Sequence, residues 1–433
     1  MQESERKKVL DGQTKKVSLL LCLLPLLRYY IPGLMPIMFS DVVQLYLVFI
    51  GITSRREKKC SAHIPTQNAL LLYGGYVVFA TVLSSIYMPV FDVSSNITTI
   101  LRLWVYIAII ILTLDSFFDK EYGFKIALKI AIINSCLTII QLALYTVLGI
   151  RTSFLIPFLD AEAGYSNERV FNARLFRPTG LFYEPAQSVY YCIPLILILL
   201  FSVCEKNEVV NNSKRMNITY SIILTVGMIC TESGAATVIA LVIWALFVLY
   251  YFKKSSNIKG ILLLGVFLIA IPFIFKLDFF VTAFNRGTNI TSGSGSIRIL
   301  RSFLTWIQFP FEYKIFGIGY ANYSIYVNYA GFYTEYDYIQ DVGYTNAAGQ
   351  ILSGLGIIGI FFLLAFFYCA YKCSRKDLPS KLLILYLFFS LIYSGIFLGI
   401  YLMIFLAFVF SRTKTLNNLE SEYEVKNITK DMR

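Results

Sequence analysis

Long, mostly apolar runs recur along this chain and decide what it can fold into. They cover about 17–31, 34–52, 66–88, 98–118, 126–148, 185–203, 217–232, 235–252, 260–276, 346–371, 381–394 and 396–411. A helix needs roughly 20 apolar residues to cross the ~30 Å hydrocarbon core. A helix is also the simplest way to satisfy every backbone N–H and C=O there. Composition agrees: 15% of residues are charged, against roughly a quarter in soluble domains. The expected fold is an all-α polytopic membrane protein of about 12 transmembrane helices, within 11–13, forming one membrane domain over 1–433. The first run, from Val17, lacks a small-residue cleavage site and leads into further runs, unlike a signal peptide.

Charge then assigns sides. Basic residues fill alternate short connections: "SRREKK" at 54–59, Lys206 with Lys214 and Arg215, Lys253 with Lys254 and Lys259, and "KCSRK" at 372–376. Together with the tails, about 1–16 and 412–433, they mark the cytoplasmic side by the positive-inside rule. The net charge of +12 therefore reads as topology, with no nucleic acid among the expected partners. Cysteines such as Cys22, Cys136, Cys192 and Cys230 lie within apolar runs and read as small hydrophobes. Cys369 and Cys373 have no second ligand pair nearby, so no metal site is expected.

The opposite side carries two long loops, about 149–184 and 277–345. Their basic residues are Arg151, Arg169, Arg174, Arg177, Arg286, Arg298, Arg301 and Lys314, seven arginines to one lysine. Arginine's planar fork grips phosphate or carboxylate bidentately, which lysine cannot do. The bias points to an anionic ligand, against the plainer reading of local pairs with Asp160, Glu162 and Glu168. No connection on the cytoplasmic side is long enough for a soluble nucleotide-using domain, so any chemistry belongs on the outer face.

Several local features were weighed. "GLGIIG" at 354–359 lies inside an apolar run, where its glycines serve close helix packing rather than a dinucleotide. "SGSGS" at 292–296 reads as a flexible tether or an anion-cradling nest before Arg298 and Arg301. Tyr320, Tyr323, Tyr326, Tyr329, Tyr333 and Tyr336 recur as one stripe of a surface helix, suiting a membrane-interface belt or a platform for stacking sugars. Arg28 and Arg102 fall within apolar runs, where a charge pairs, marks a pathway or snorkels to the headgroups. Glu232 is the partner expected for Arg102, which also counts as substrate-binding. The single histidine, His63, is on the cytoplasmic side, so an outer-face base must be a carboxylate, a tyrosine or a substrate phosphate. Glu184, Asp337 and Asp341 are the candidates.

"RPTGLFYEPAQS" at 177–188, followed by an apolar run, resembles the Arg-x-x-Gly-Leu-Phe-x-Glu-Pro segment of Wzy-type polysaccharide polymerases and the related O-antigen ligases. "SGSGSIRILRSFLTWIQFPFEYKIFGIGYANY" at 292–323 and "TNAAGQILSGLGIIGIFF" at 345–362 resemble two later segments of the same superfamily, in the same order. The resemblance covers roughly 170–365. It implies a GT-C-like helical bundle in a bacterial cytoplasmic membrane, both termini cytoplasmic and the active site outside. The implied reaction is polymerisation of polyprenyl-diphosphate-linked oligosaccharides, without cofactor or metal. Arg177, Glu184, Arg298 and Arg301 would be catalytic. Arg169, Arg174, Arg286, Arg102, Tyr320, Tyr323, Tyr344 and Asn346 would bind substrate. Where related ligases carry a histidine, this chain has Tyr344, Thr345 and Asn346, which disfavours the ligase. Membrane lipids, a chain-length regulator and a flippase are the implied partners. Transport of a lipid-linked glycan is the non-enzymatic alternative.

Overall fold

Pro25 stops the first helix. The computed structural model describes residues 3–34, 37–53, 64–114, 117–161, 171, 176–205, 210, 212–255, 265, 269, 276, 281, 285, 294–334, 345–374, 378–393 and 399–410. Helix α1 (Glu3–Leu23) starts inside the expected tail and gives way to a 3-10 turn at Leu24–Leu26. Beyond it residues 27–30 pair with the start of α2 (Phe39–Thr53): Ser40 N–H donates to Leu27 O at 2.9 Å and Phe39 N–H to Tyr29 O at 3.0 Å.

The chain continues through α3 (Ile64–Tyr87), α4 (Val93–Ile109), α5 (Lys120–Leu148), α6 (Pro185–Cys204), α7 (Lys214–Cys230) and α8 (Gly234–Ser255). After the described isolated positions come α9 (Ser294–Gln308), two short helices α10 (Phe311–Phe316) and α11 (Tyr323–Ala330), then α12 (Ala347–Cys373), α13 (Leu378–Tyr393) and α14 (Ile400–Phe410). Among the described residues the regular structure is helical, and six helices are long and apolar enough to cross a membrane: Ile64–Tyr87, Val93–Leu112, Lys120–Leu148, Pro185–Cys204, Ala236–Lys254 and Ala347–Cys373. The protein is therefore a helical membrane protein. The expected run 260–276 lies largely outside the described residues.

Burial shows where the core sits. In α6, 89% of the spanning window is enclosed, and the described side chains of α14 are buried from Ile400 to Phe410. Phe408 of α14 meets Phe118 and Phe124 edge-on, with ring centroids 5.3 and 6.2 Å apart. Large apolar residues of α2, α3 and α4, among them Leu45, Phe49, Leu72, Ile86 and Leu101, face outward instead. That is the inverse of a soluble helix, whose apolar stripe faces the core.

Residues 294–334, expected within the second outer loop, pack against the bundle. "SGSGS" is not purely a tether, because Ser294–Ser296 form the first turn of α9. The tyrosine stripe does not lie on one helix. Tyr320 precedes Asn322, which starts α11, and Gly331 ends it in the left-handed region at φ +67°. Tyr323 and Tyr326 pack inward with Phe309 and Val327, while Tyr329 and Tyr333 are exposed.

Candidate functional site

Two buried amides on α5 hold the first motif. Asn134 and Gln141 are seven residues apart, about two helical turns, and so share a face. Gln141 Oε1 accepts from the N–H groups of Thr179 (3.1 Å) and Gly180 (2.8 Å), and its Nε2 donates to Thr152 O (2.9 Å). Asn134 Oδ1 accepts from Leu181 N–H (2.8 Å), and its Nδ2 donates to Ser188 Oγ (2.7 Å). Gly180 lies at φ +62°, where a Cβ would stand 2.1 Å from Asn134 Oδ1, so this corner of the motif requires glycine. Gln141→Leu should leave two enclosed N–H donors unmet, at about 1–3 kcal/mol each. Thermal unfolding of the purified variant should show a clear fall in midpoint, and an unchanged midpoint would mean the turn stands without this clamp.

Past the turn, Glu184 takes the N-cap position of α6 and Pro185 its first turn, where a missing N–H costs nothing. The Glu184 side chain makes no cap bond. Arg177 and Glu184 are partly exposed, while Phe182 and Tyr183 are buried. Tyr183 presents its ring to Arg28, whose guanidinium carbon lies 5.5 Å from the ring centroid and 5.9 Å from that of Tyr401. Arg28 also shares a hydrogen bond with Tyr401, and the Tyr401 hydroxyl bonds Gln187 Oε1.

The second motif is threaded through a break in α12. Gly356 sits at φ 68°, ψ −169°, which interrupts the helix and frees carbonyls of the preceding turn. Other segments satisfy them: Ile318 N–H donates to Ser353 O and Gly319 N–H to Gly354 O, both at 3.0 Å, and the Tyr76 hydroxyl donates to Leu355 O at 3.0 Å. Non-helical backbone inside a membrane bundle is tolerated where protein encloses it. The other flank is nailed to the corner between α3 and α4. Asn322 accepts from Asp92 N–H (3.0 Å) and donates to Val90 O (2.9 Å), and Asn96 Oδ1 accepts from Ala321 N–H (2.9 Å). Hydrogen bonds from the Ser95 hydroxyl and N–H hold the Asp92 carboxyl below its usual range.

This threading aims Tyr320 inward, toward Tyr73 and Tyr106. Tyr106 is also in the field of Arg28, Arg102 and Asp41. The two motifs thus meet around Tyr106, the first through Tyr183 and Arg28, the second through Tyr320. Tyr106 and Tyr401 carry no sequence signal, since aromatic residues are common throughout these runs. Arg28 does carry one, as a charge in an apolar run.

Other expected site residues fare differently. Arg102 faces Asp41, Nη2 to Oδ2 3.8 Å, and not Glu232. Glu232 sits in the turn between α7 and α8 at φ +51°. Asn346 is 0% exposed and caps α12. Its Oδ1 accepts from Gly349 N–H (2.6 Å) and Ser302 Oγ (3.3 Å), and its Nδ2 donates to Ile392 O (2.7 Å). Tyr323 is likewise in the aromatic core rather than on a platform. Arg301 is wholly enclosed on α9, beside Ser302, which packs against Gly349 at the start of α12. Arg169, Arg174, Arg286 and Tyr344, and with them Asp337 and Asp341, lie outside the described residues, as does the side chain of Arg298. Searched against known proteins, the chain matches no family model, no curated protein and no solved structure.

Proposed function

We propose that the chain is a glycosyltransferase that polymerises polyprenyl-diphosphate-linked oligosaccharide units at the outer face of a bacterial cytoplasmic membrane. One observation carries the reading: the segments around 177–188 and 315–322, on which the resemblance rests, converge on one cluster of arginines and tyrosines. A ligand bearing both phosphate and sugar suits that pairing, since guanidinium groups match phosphate oxygens and phenol rings match sugar faces. Lysines favour the far end. Lys120 and Lys125 start α5, whose other end holds Gln141, and Lys372 lies at the end of α12 away from Asn346. By the positive-inside rule the motif end faces outward. About twelve crossings and cytoplasmic termini belong to the same reading.

In this reaction a hydroxyl of the incoming lipid-linked unit attacks the anomeric carbon of the growing chain, and polyprenyl diphosphate leaves. The leaving group is already activated, so the donor itself drives transfer. Negative charge grows on the diphosphate beside low-dielectric lipid, where preorganised donors are worth most. Arg177 would meet that charge, and Glu184 would orient Arg177 or take the proton. Arg298 and Arg301 would complete the set. Arg169, Arg174 and Arg286 would hold the acceptor diphosphate.

Deleting the gene tests the proposal by gel analysis of lipid-linked and surface glycan. Single repeat units without polymer are expected. Polymer stranded on its carrier would make the protein a ligase instead. Loss of outward-facing lipid-linked units would make it a transporter.

A further inference from the structure

Arg28, in the segment between α1 and α2, and Arg102, on α4, both act on Tyr106 and so belong to one polar cluster. The pairing of Leu27 and Tyr29 with Phe39 and Ser40 brackets Arg28, and Asp41, one residue on, stands in the first turn of α2. Asp41 is fixed there, since its Oδ2 accepts from Met38 N–H at 3.0 Å. Across the seam between α2 and α4, Arg102 reaches that same oxygen at 3.8 Å, a long contact for so confined a pair. Arg102 and Tyr106 are four residues apart on α4 and so share a face. The Arg102 side chain is 37% exposed and that of Asp41 23%. Around them Val42, Leu45, Phe49, Ile97 and Leu101 expose apolar side chains. A half-open ion pair thus interrupts a face otherwise lined by apolar side chains, and Tyr106 lies in the field of this pair and of Arg28, which stacks on the rings of Tyr183 and Tyr401.

We infer that this seam is a lateral docking site for the phosphorylated headgroup of a polyprenyl lipid, in which Arg102 and Arg28 grip the phosphate and the tail lies along α2 and α4. The inference deepens the proposed function and rests on it for the identity of the lipid. In the empty protein Asp41 occupies Arg102. An arriving phosphate takes Arg102 from it, because a phosphate offers more charge and more acceptor oxygens than one carboxylate. The headgroup then stands beside Tyr106 and Tyr183, adjoining the motif that carries Arg177. Asp41 acts as a placeholder that keeps Arg102 paired between substrates, since an unpaired charge in an apolar face is costly.

Direct binding tests this, with no turnover required. The full-length protein in phosphatidylcholine nanodiscs is titrated with undecaprenyl diphosphate, with undecaprenol, which lacks the phosphates, and with inorganic pyrophosphate, which lacks the tail. Undecaprenyl diphosphate should bind well above the other two. Arg102→Gln and Arg28→Gln should each weaken it about tenfold to a hundredfold. Asp41→Asn should tighten it several-fold, an effect that damage to the fold would not produce. Unchanged binding in the Arg102→Gln and Arg28→Gln variants overturns the site, as does weaker binding in Asp41→Asn. Equal affinity for pyrophosphate makes it a free-anion site and overturns the lipid assignment. Liposome turnover separates the two readings. If the wild type elongates lipid-linked units while these variants bind normally, the seam fails and the polymerase stands. If the wild type binds at the seam without elongating, the polymerase fails and the seam stands.

Discussion

Gly356→Ala should be the most damaging small substitution in the described part of the chain. Its backbone angles, φ 68° with ψ −169°, belong to a region that is essentially glycine's own, and a side chain there costs of order 1–3 kcal/mol in strain. Space is the larger problem. A Cβ would stand 2.0 Å from Ile315 O and 2.8 Å from Gly317 N, both backbone atoms. Relieving that contact means drawing 315–319 away from α12, which breaks the bonds from Ile318 and Gly319. Adding overpacking at about 1–3 kcal/mol and two weakened hydrogen bonds at about 1 kcal/mol each gives a total of about 4–8 kcal/mol. Detergent-solubilised variant should elute as aggregate, or unfold many degrees below wild type. Gly331→Ala is the control. Gly331 also has positive φ, but nothing lies within 4 Å of its would-be Cβ, so only the strain of about 1 kcal/mol should appear. Equal midpoints for the two variants would show that the threaded segment does not depend on close approach to α12.

Gly356 also shows how far the sequence could be read. "GLGIIG" signals close packing, and Gly354 and Gly356 do meet another backbone. What they meet is a segment some 40 residues earlier that reads as loop, because its own glycines and aromatics show no helical period. Its pairing with the broken helix is a tertiary contact without a local signature. The helical membrane class was legible, since apolar runs of that length leave little else to form. Partner choice among helices was not. Nothing in the spacing prefers Asp41 over Glu232 for Arg102, as helices of similar apolar character can pack in many orders. Asn346 had a plain local meaning, a side chain accepting from an N–H three residues on at a helix start. Arg28 was visible as a misplaced charge, yet its tyrosine neighbours come from α4, the first motif and α14.

Arg177→Lys should abolish polymer while leaving the protein at its normal level. Lysine keeps the charge and loses the planar fork, so a bidentate grip on phosphate becomes a single point contact. By analogy with removing one oxyanion donor, the rate should fall on the order of 10²–10³. Arg177 tolerates the exchange because it is partly exposed, between the buried Phe176 and Pro178 that hold the backbone. Arg301→Lys should behave differently. Arg301 is 0% exposed, and a compact ammonium in the same enclosure cannot reproduce the reach of a guanidinium. That variant should lose polymer and protein together, with a lowered unfolding midpoint. The contrast is read from membrane protein levels and glycan gels of the two strains side by side. Wild-type polymer from Arg177→Lys would remove Arg177 from the chemistry, and the first motif would then be a structural corner held by Asn134 and Gln141.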